Sequence, residues 1–320
     1  MGRDRLSALD DNLLSFHILS KLPLRDAVRC SILSRRWRLL WTLLPHLKSW
    51  NADFNAKVID NIFCFHHGEL ESLEISFIYR FSWEERNIDD LIWKSVRAAS
   101  VKRVKQITLR KAGSKQHVRA FGRVRAPSSG RVRVPSSLFS CDCLTFLKIE
   151  NFEIKVPSYF SRFRFLRTCI LSFFHNIDDI LEQIAAKCPL LENLRVVSCY
   201  VVRLNHVKIS ALNLKYLNFS GNQYISSLTL NCPKLMNVTI PDSPSMLRLE
   251  LNSCRDLHFS TTELHLLEGL SNRNSLRKIT LDGWSTRLPS LTVLGCFSNL
   301  EELAIESKSF EVRKSLAFIF

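Results

Sequence analysis

Glycine is scarce in this chain, nine residues in 320, and none falls in a G-x-x-x-x-G-K-[ST], G-x-G-x-x-G or G-x-S-x-G arrangement. A phosphate-cradling loop needs glycine so that backbone N–H groups can approach the anion, and a nucleophile elbow needs it for a sharp turn. Nucleotide-dependent and serine-hydrolase chemistry therefore find no support. Ten cysteines are present, but no two are spaced C-x-x-C. Cys141-x-Cys143 has no cysteine or histidine partner before Cys169, and the nine histidines include no H-E-x-x-H. A zinc site needs four convergent ligands, so neither a metal nor any other cofactor is expected, and the adjacent His66-His67 pair reads as a loop feature. There is also no N-terminal apolar run of the signal-peptide kind and no stretch long enough to span a bilayer. The expectation is a chain of the cytoplasm or nucleus with reduced thiols and no membrane partner.

Acidic residues are missing from one region. Residues 91–141 hold 13 Lys/Arg and no Asp/Glu and supply most of the formal net charge of +15, whereas residues 51–90 hold three bases against nine acids. Within the basic region Arg123-Val-Arg-Ala-Pro-Ser-Ser-Gly130 is followed at once by Arg131-Val-Arg-Val-Pro-Ser-Ser-Leu138, a tandem duplication. Pro127, Gly130 and Pro135 disfavour regular structure, so the segment around 111–137 is expected to be an extended loop inserted between two strands. Such a loop suits an acidic partner surface, a nucleic-acid contact or an import signal, or is simply solvated.

Hydrophobic residues, 46% of the chain, are ample for a large core, and their order is repetitive. From residue 70 onward an L-x-x-L-x-L pattern recurs: Leu70-Leu73-Ile75, Val104-Ile107-Leu109, Leu144-Leu147-Ile149, Leu191-Leu194-Val196, Leu214-Leu217-Phe219, Leu235-Val238-Ile240, Met246-Leu249-Leu251, Leu276-Ile279-Leu281 and Leu300-Leu303-Ile305. Leu166-Cys169-Leu171 and Ile225-Leu228-Leu230 are weaker members. The pattern marks leucine-rich repeats, each giving one short strand to a curved parallel sheet. Cys199, Asn222 and Cys254 fall eight residues after a repeat's first apolar position, in the turn leaving the strand, while Cys141, Cys188 and Cys232 fall three before one and are expected core positions. Strand alternation then places Gln106, Thr108, Arg110, Phe146, Lys148, Glu150, Asn193, Arg195, Tyr216, Asn218, Arg248 and Glu250 on the concave face, with Lys278, Thr280 and Asp282 further along. Mixed charge with occasional aromatics suits recognition of a protein.

Ahead of the repeats lies a compact helical stretch. Asp10 and Asp11 are placed to cap a helix carrying Leu14, Ile18 and Leu22, which Pro23 stops. A second helix follows with Asp26 in its first turn and Ala27, Val28, Ser31 and Ile32 along one side. Ser34 caps a third, in which Trp37, Leu40, Trp41 and Leu44 recur at i, i+3, i+4 and i+7.

These residues resemble the F-box of plant F-box and leucine-rich-repeat proteins. The match rests on Asp4-Arg5-Leu6-Ser7, Ile18-Leu19-Ser20-Lys21-Leu22-Pro23, Asp26-Ala27-Val28-Arg29 and Leu33-Ser34-Arg35-Arg36-Trp37-Arg38 with Leu40-Trp41. Two departures stand out: Leu9 is followed by Asp10 where the family has a Leu-Pro pair, and the spacing to Ile18 is one residue longer, which shifts the register of helix 1. The resemblance implies an α/β fold with a three-helix F-box at 1–50, a leucine-rich-repeat solenoid at 51–310 and a short tail at 311–320. It implies a non-catalytic adaptor: the helices, through Leu9, Leu14, Ile18, Leu19, Leu22, Pro23, Val28, Leu33, Trp37, Leu40 and Trp41, dock on a Skp-type adaptor and through it a cullin, while the repeats bring a target protein to a ubiquitin ligase. The alternative is a basic repeat scaffold for nucleic acid or an acidic protein, its helical start a mere cap. Relatives often continue into a further C-terminal domain, so this chain reads as a shortened member or an incomplete gene product. Its last repeat is expected to fray, with Phe318, Ile319 and Phe320 folding back over the core or exposing an apolar patch.

Overall fold

The structure, a computed structural model, describes residue 6 and residues 8–50, 56–78, 85–112, 132–174, 178–197, 206–220, 226–240, 248–251, 254–260, 273–282, 297–306 and 316–319. The chain divides into two compact units, Met1–Phe160 and Ser161–Phe320.

The first unit begins with three helical segments. The first combines a π-helical stretch, Leu13–Ile18, with a 3₁₀ turn, Leu19–Lys21. Bonding from residue i to i+5 winds one more residue into a turn, and the stretch coincides with the one-residue surplus before Ile18. Its buried positions are accordingly Leu14 and Leu19, five apart, while Ile18 is half-buried and Leu22 exposed. The second segment is α1 (Leu24–Arg29) with the turn Cys30–Ile32; the third is α2 (Trp37–Leu40) with the turn Trp41–Leu43. Pro23 does end the first segment: Leu22 is extended, with ψ 151°, and the Pro23 carbonyl accepts the Asp26 and Ala27 N–H groups that open α1. Ser34 Oγ accepts the Trp37 N–H at 3.4 Å, as its capping position requires. Asp10 and Asp11 make no side-chain cap; Asp11 instead pairs with Arg36 Nε at 2.6 Å, tying the first segment to the third. All four residues of the Trp37, Leu40, Trp41, Leu44 stripe are buried.

The helical lead runs directly into a sheet. Strands β1 (His46–Trp50), β2 (Ser72–Ile78), β3 (Gln106–Ala112) and β4 (Phe146–Glu150) pair in chain order, all parallel. The expected boundary at residue 50 thus falls at the end of a sheet strand. Helices α3 (Ala56–Phe65) and α4 (Glu85–Val101) make the crossovers. Ile92, Val96 and Ala99 of α4, at i, i+4 and i+7, form its buried face.

The second unit holds β5 (Thr168–Ser172), α5 (Asp178–Lys187), β6 (Asn193–Val197), β7 (Val207–Ser210), β8 (Tyr216–Asn218), β9 (Ser227–Asn231), β10 (Asn237–Ile240), β11 (Arg248–Leu251), β12 (Asp256–Ser260), β13 (Lys278–Asp282), β14 (Glu302–Glu306) and β15 (Leu316–Ile319). Its main sheet runs β5-β6-β8-β10-β12-β13-β14-β15, and β11-β9-β7 form a second, three-stranded parallel sheet. Repeat length explains the second sheet. From Asn237 to its register partner Tyr216 is 21 residues (237 − 216), and from Ser72 to Gln106 is 34 (106 − 72). The longer interval accommodates the 17-residue α4, whereas the shorter leaves room only for a strand on the return path.

The ladder expected from the sequence is buried in both units: Leu73, Ile107 and Leu147 in the first; Cys169, Leu194, Leu217, Val238, Leu257, Ile279 and Leu303 in the second. Each leucine so buried contributes about 1.5–3 kcal/mol. Cys141, Cys188 and Cys232 are core residues too, and each carbonyl accepts the N–H of the leucine three residues on, at 3.5, 3.1 and 3.1 Å, which turns the chain into the next strand.

Two further expectations are corrected. Leu249 and Leu251, and Leu228 and Leu230, lie in the second sheet, whereas Met246 and Ile225 lie outside the described residues, so Arg248 and Glu250 do not lie on the main sheet with the other expected face positions. The main-sheet strand at that point is β12, where buried Cys254 opens a Cys254-x-x-Leu257 repeat rather than closing the one before. Next, the second copy of the duplication is not an extended loop. From residue 132 it packs: Val132, Val134 and Leu138 are buried, Ser136–Ser140 form a 3₁₀ turn, and Val134 N–H and Glu153 N–H bond to Glu153 O and Val132 O. Arg123, Arg125 and Arg131 lie outside the described residues. At the end of the second unit the chain does turn back: β15 runs antiparallel along β14, with Leu303 opposite Phe318, and takes up that strand's free edge, while Phe320 lies outside the described residues. Among the described residues no helix is long and apolar enough to cross a membrane.

Candidate partner-docking surfaces

Candidate partner surfaces lie on the helical lead and, in each unit taken by itself, on the outward face of its sheet. On the helical lead, Leu14, Leu19, Trp37, Leu40 and Trp41 are buried and hold the three segments to each other and to the sheet. Ser15, also buried, donates its hydroxyl proton to Leu40 O at 3.2 Å across the same junction. These five are therefore placed to hold the fold and not to touch a partner directly. Leu9, Ile18 and Val28 are half-buried, and Leu22, Pro23 and Leu33 are exposed and available for direct contact. The sequence reading left Leu13, Phe16, Leu39 and Leu43 out of the apolar surface, and Ile32, expected on one side of the second helix with Ala27, is 87% exposed while Ala27 is buried. Single exposed apolar side chains are ordinary, but so many within about 40 residues of one small module make it the candidate contact surface of the lead. The available signal was the buried stripe itself, since apolar residues that fall between its positions must point away from the core.

The junction between this module and the first repeat is specific. His66 is 2% exposed and donates from Nε2 to Leu44 O at 2.8 Å. Burial holds its pKa below the ordinary imidazole value, and the ammonium of Lys102, bonded to His66 O at 2.8 Å, acts in the same direction. The N–H groups of His67 and Gly68 both bond to Thr42 O at 3.0 Å. The His66-His67 pair is thus the latch that seats the module. Among the described residues no group of three His, Cys, Asp or Glu side chains is placed to hold a metal ion.

On the first unit's sheet, register places the outward residues in rows: Ser72, Gln106 and Phe146; Glu74, Thr108 and Lys148; Ser76, Arg110 and Glu150. Glu150 is held by Arg110 Nε at 2.6 Å and Lys148 Nζ at 2.8 Å. On the second unit's main sheet the rows are Asn193, Tyr216, Asn237, Asp256, Lys278 and Glu302, then Arg195, Asn218, Thr239, His258 and Thr280. Asn237, Thr239, Asp256 and His258 join the expected set. Asp282 continues β13 opposite Glu306, and Thr280 is nearly buried. Beside the rows, the residues just before β5, β6 and β8 alternate in charge, Glu192 pairing with Arg167 and, at 3.0 Å, with Lys215, and Arg277 before β13 pairs with Glu301 before β14 at 2.7 Å.

Comparison with known proteins agrees with both parts. Residues 9–49 match the F-box domain, and residues 109–316 match the leucine-rich repeats described for the FBD-associated F-box protein At5g56370. The chain is 30% identical over 258 residues to the F-box/FBD/LRR-repeat protein At5g56420 of Arabidopsis thaliana, covering 75% of this chain and 56% of that protein. It is 27% identical over 253 residues to the F-box/LRR-repeat protein At3g26922, covering 75% and 76%, and 25% identical over 329 residues to the putative F-box/FBD/LRR-repeat protein At5g44950, covering 95% and 71%, both of Arabidopsis thaliana. Against At5g56420 and the F-box/FBD/LRR-repeat protein At1g13570, the aligned region spans little more than half of the relative's length. With its helical lead matched to the F-box and most of its parallel strands to one leucine-rich-repeat model, the chain belongs to the F-box and leucine-rich-repeat family of the FBD-associated type.

Proposed function

We propose that this protein is a substrate-recognition subunit of a Skp, cullin and F-box ubiquitin ligase, acting in the cytoplasm or nucleus. The observation that carries the proposal is the F-box with exposed apolar residues, Ile32, Leu33 and Leu39 among them, latched through His66 and Gly68 to a stack of parallel strands. An apolar surface of that kind is covered by a partner, and a Skp-type adaptor is the partner that an F-box implies. The sheet rows offer a broad polar face with an exposed tyrosine and arginine, Tyr216 and Arg195, side chains suited to gripping another protein. The chain itself would supply no reacting group. Holding a target beside a charged conjugating enzyme raises the local concentration of its lysines, and that proximity is the whole contribution.

The test is capture of a purified Skp-type adaptor by the full chain, compared with Ile32→Asp and Leu39→Asp variants whose melting is unchanged. Micromolar binding that both variants weaken at least tenfold supports the assignment. A folded chain that does not bind the adaptor sinks it.

A further inference from the structure

On the outward face of β2, β3 and β4 two cations share one carboxylate. Glu150 Oε2 lies 2.6 Å from Arg110 Nε and Oε1 2.8 Å from Lys148 Nζ, two ion pairs on one carboxylate that leave one positive charge over, while the buried Arg110 Nε–H has no hydrogen-bond partner. The groups are not freely solvated: the side chains of Arg110, Lys148 and Glu150 are 32%, 24% and 17% exposed. A surplus charge in such a place is poorly served by water and gains from an anion. Next to Arg110 in register sits Ser76, 3% exposed, whose hydroxyl has no hydrogen-bond partner. A buried hydroxyl left without a partner is costly unless a ligand supplies one. The other acid of the face, Glu74, lies opposite Lys48 of β1, leaving the surplus at Arg110 and Lys148. One step back along β4, Phe146 presents a half-buried aromatic ring beside Lys148.

Resting on the reading of the repeats as the target-capturing part, we propose that this face receives a carboxylate side chain from an extended acidic segment of the captured protein. The guanidinium keeps unused N–H donors and the ammonium keeps two, enough for a carboxylate to bridge them. An apolar neighbour of the acidic residue packs on Phe146. A phosphorylated side chain fits worse, because its charge of about −1.5 to −2 exceeds the single surplus and faces Glu150 at close range.

The experiment is fluorescence polarisation on the full chain at low ionic strength, with a blocked, labelled Gly-Glu-Phe-Glu-Gly peptide, its glutamine counterpart and its phosphoserine counterpart. The glutamate peptide is expected to bind about fivefold or more tighter than the glutamine one, a preference lost in Arg110→Gln and Lys148→Gln and reduced by salt. Glu150→Gln is expected to tighten glutamate binding, because it raises the surplus from one charge to two; a damaged fold cannot produce that gain. Equal binding of the glutamate and glutamine peptides, a weaker Glu150→Gln variant, or phosphoserine bound tightest would each overturn the proposal. Adaptor capture on the same proteins separates the two readings: glutamate preference without adaptor binding keeps this surface and removes the ligase assignment, and the reverse removes only the surface.

Discussion

Gly68 lies directly against the backbone of Leu43. A Cβ built on it would stand 2.9 Å from Leu43 Cα, closer than side chains tolerate, and the approach is what lets the Gly68 N–H reach Thr42 O. The last turn of the F-box is therefore packed on the chain leaving α3 with no room for a methyl group. Gly68→Ala is expected to cost about 1–3 kcal/mol through forced displacement, read as a lower denaturant midpoint with an unchanged slope. A wild-type midpoint would mean that the junction yields freely.

His66 makes the same junction pH-dependent. The unfolded imidazole takes up a proton near 6.5, and the folded one, held lower chiefly by burial and further by Lys102 and His67, takes it up only at more acid pH. As pH falls through that window the unfolded chain binds more protons than the folded one, so the stability present above about 6.5 is progressively lost. Melting temperature followed from pH 8 to 5 is expected to fall, and His66→Gln, which keeps a donor for Leu44 O, is expected to flatten this part of the decline. Parallel curves for the two proteins would exclude His66 as its source.

The second copy of the basic duplication separates into two kinds of residue. Leu138→Ala empties a fully buried site and is expected to cost about 2–5 kcal/mol. Arg133→Ser removes an exposed ion pair with Glu153, 3.3 Å long, and is expected to stay within about 0.5 kcal/mol. Chemical denaturation of both variants checks the contrast; similar losses would contradict the packing seen here.

Cysteine reactivity reports the repeat core. Burial pushes the thiols of Cys188 and Cys254 up to about 12 and those of Cys141 and Cys232 up to about 11, and raises Cys169 as well. Cys64 is exposed on α3. Brief alkylation of the native protein at neutral pH, followed by peptide mass mapping, is expected to mark Cys64 and spare those five, because the reactive species is an accessible thiolate. Ready labelling of Cys169 or Cys232 would show that the repeats open far more easily than their packing implies.

Phe173, just after β5, has φ of 60°, a left-handed conformation that a bulky side chain adopts only under constraint, and it is partly exposed. Asn151, just after β4, has φ of 63° with the residue type that tolerates it, and it donates to Lys111 O at 3.0 Å. Phe173→Asn is expected to stabilise the second unit by about 0.5–1 kcal/mol through relief of that strain. A loss in the midpoint would show that ring packing outweighs it.

What the sequence determined by itself was local and periodic. Spacings of i, i+3, i+4 and i+7 in Trp37, Leu40, Trp41 and Leu44, and of two in Leu147 and Ile149, say which side of an element is apolar, and that side must be buried wherever the element goes. The F-box match and the core cysteines Cys141, Cys188 and Cys232 were readable for the same reason. Tertiary structure alone decided which sheet a strand joins. The Leu249-Leu251 alternation suits β11 as well as any main-sheet strand, because both sheets bury every second residue; only backbone pairing with Leu228 and Leu230 of β9 sends it to the second sheet and takes Arg248 and Glu250 with it. The same holds for Val132 and Val134, whose burial depends on Glu153, about 20 residues further on, and for His66, whose role depends on the Leu44 carbonyl arriving from a different element. Composition and spacing carry no information about a hydrogen bond or a charge balance made between distant segments, which is why the F-box core was legible and the pairing within the Arg110, Lys148 and Glu150 cluster was not.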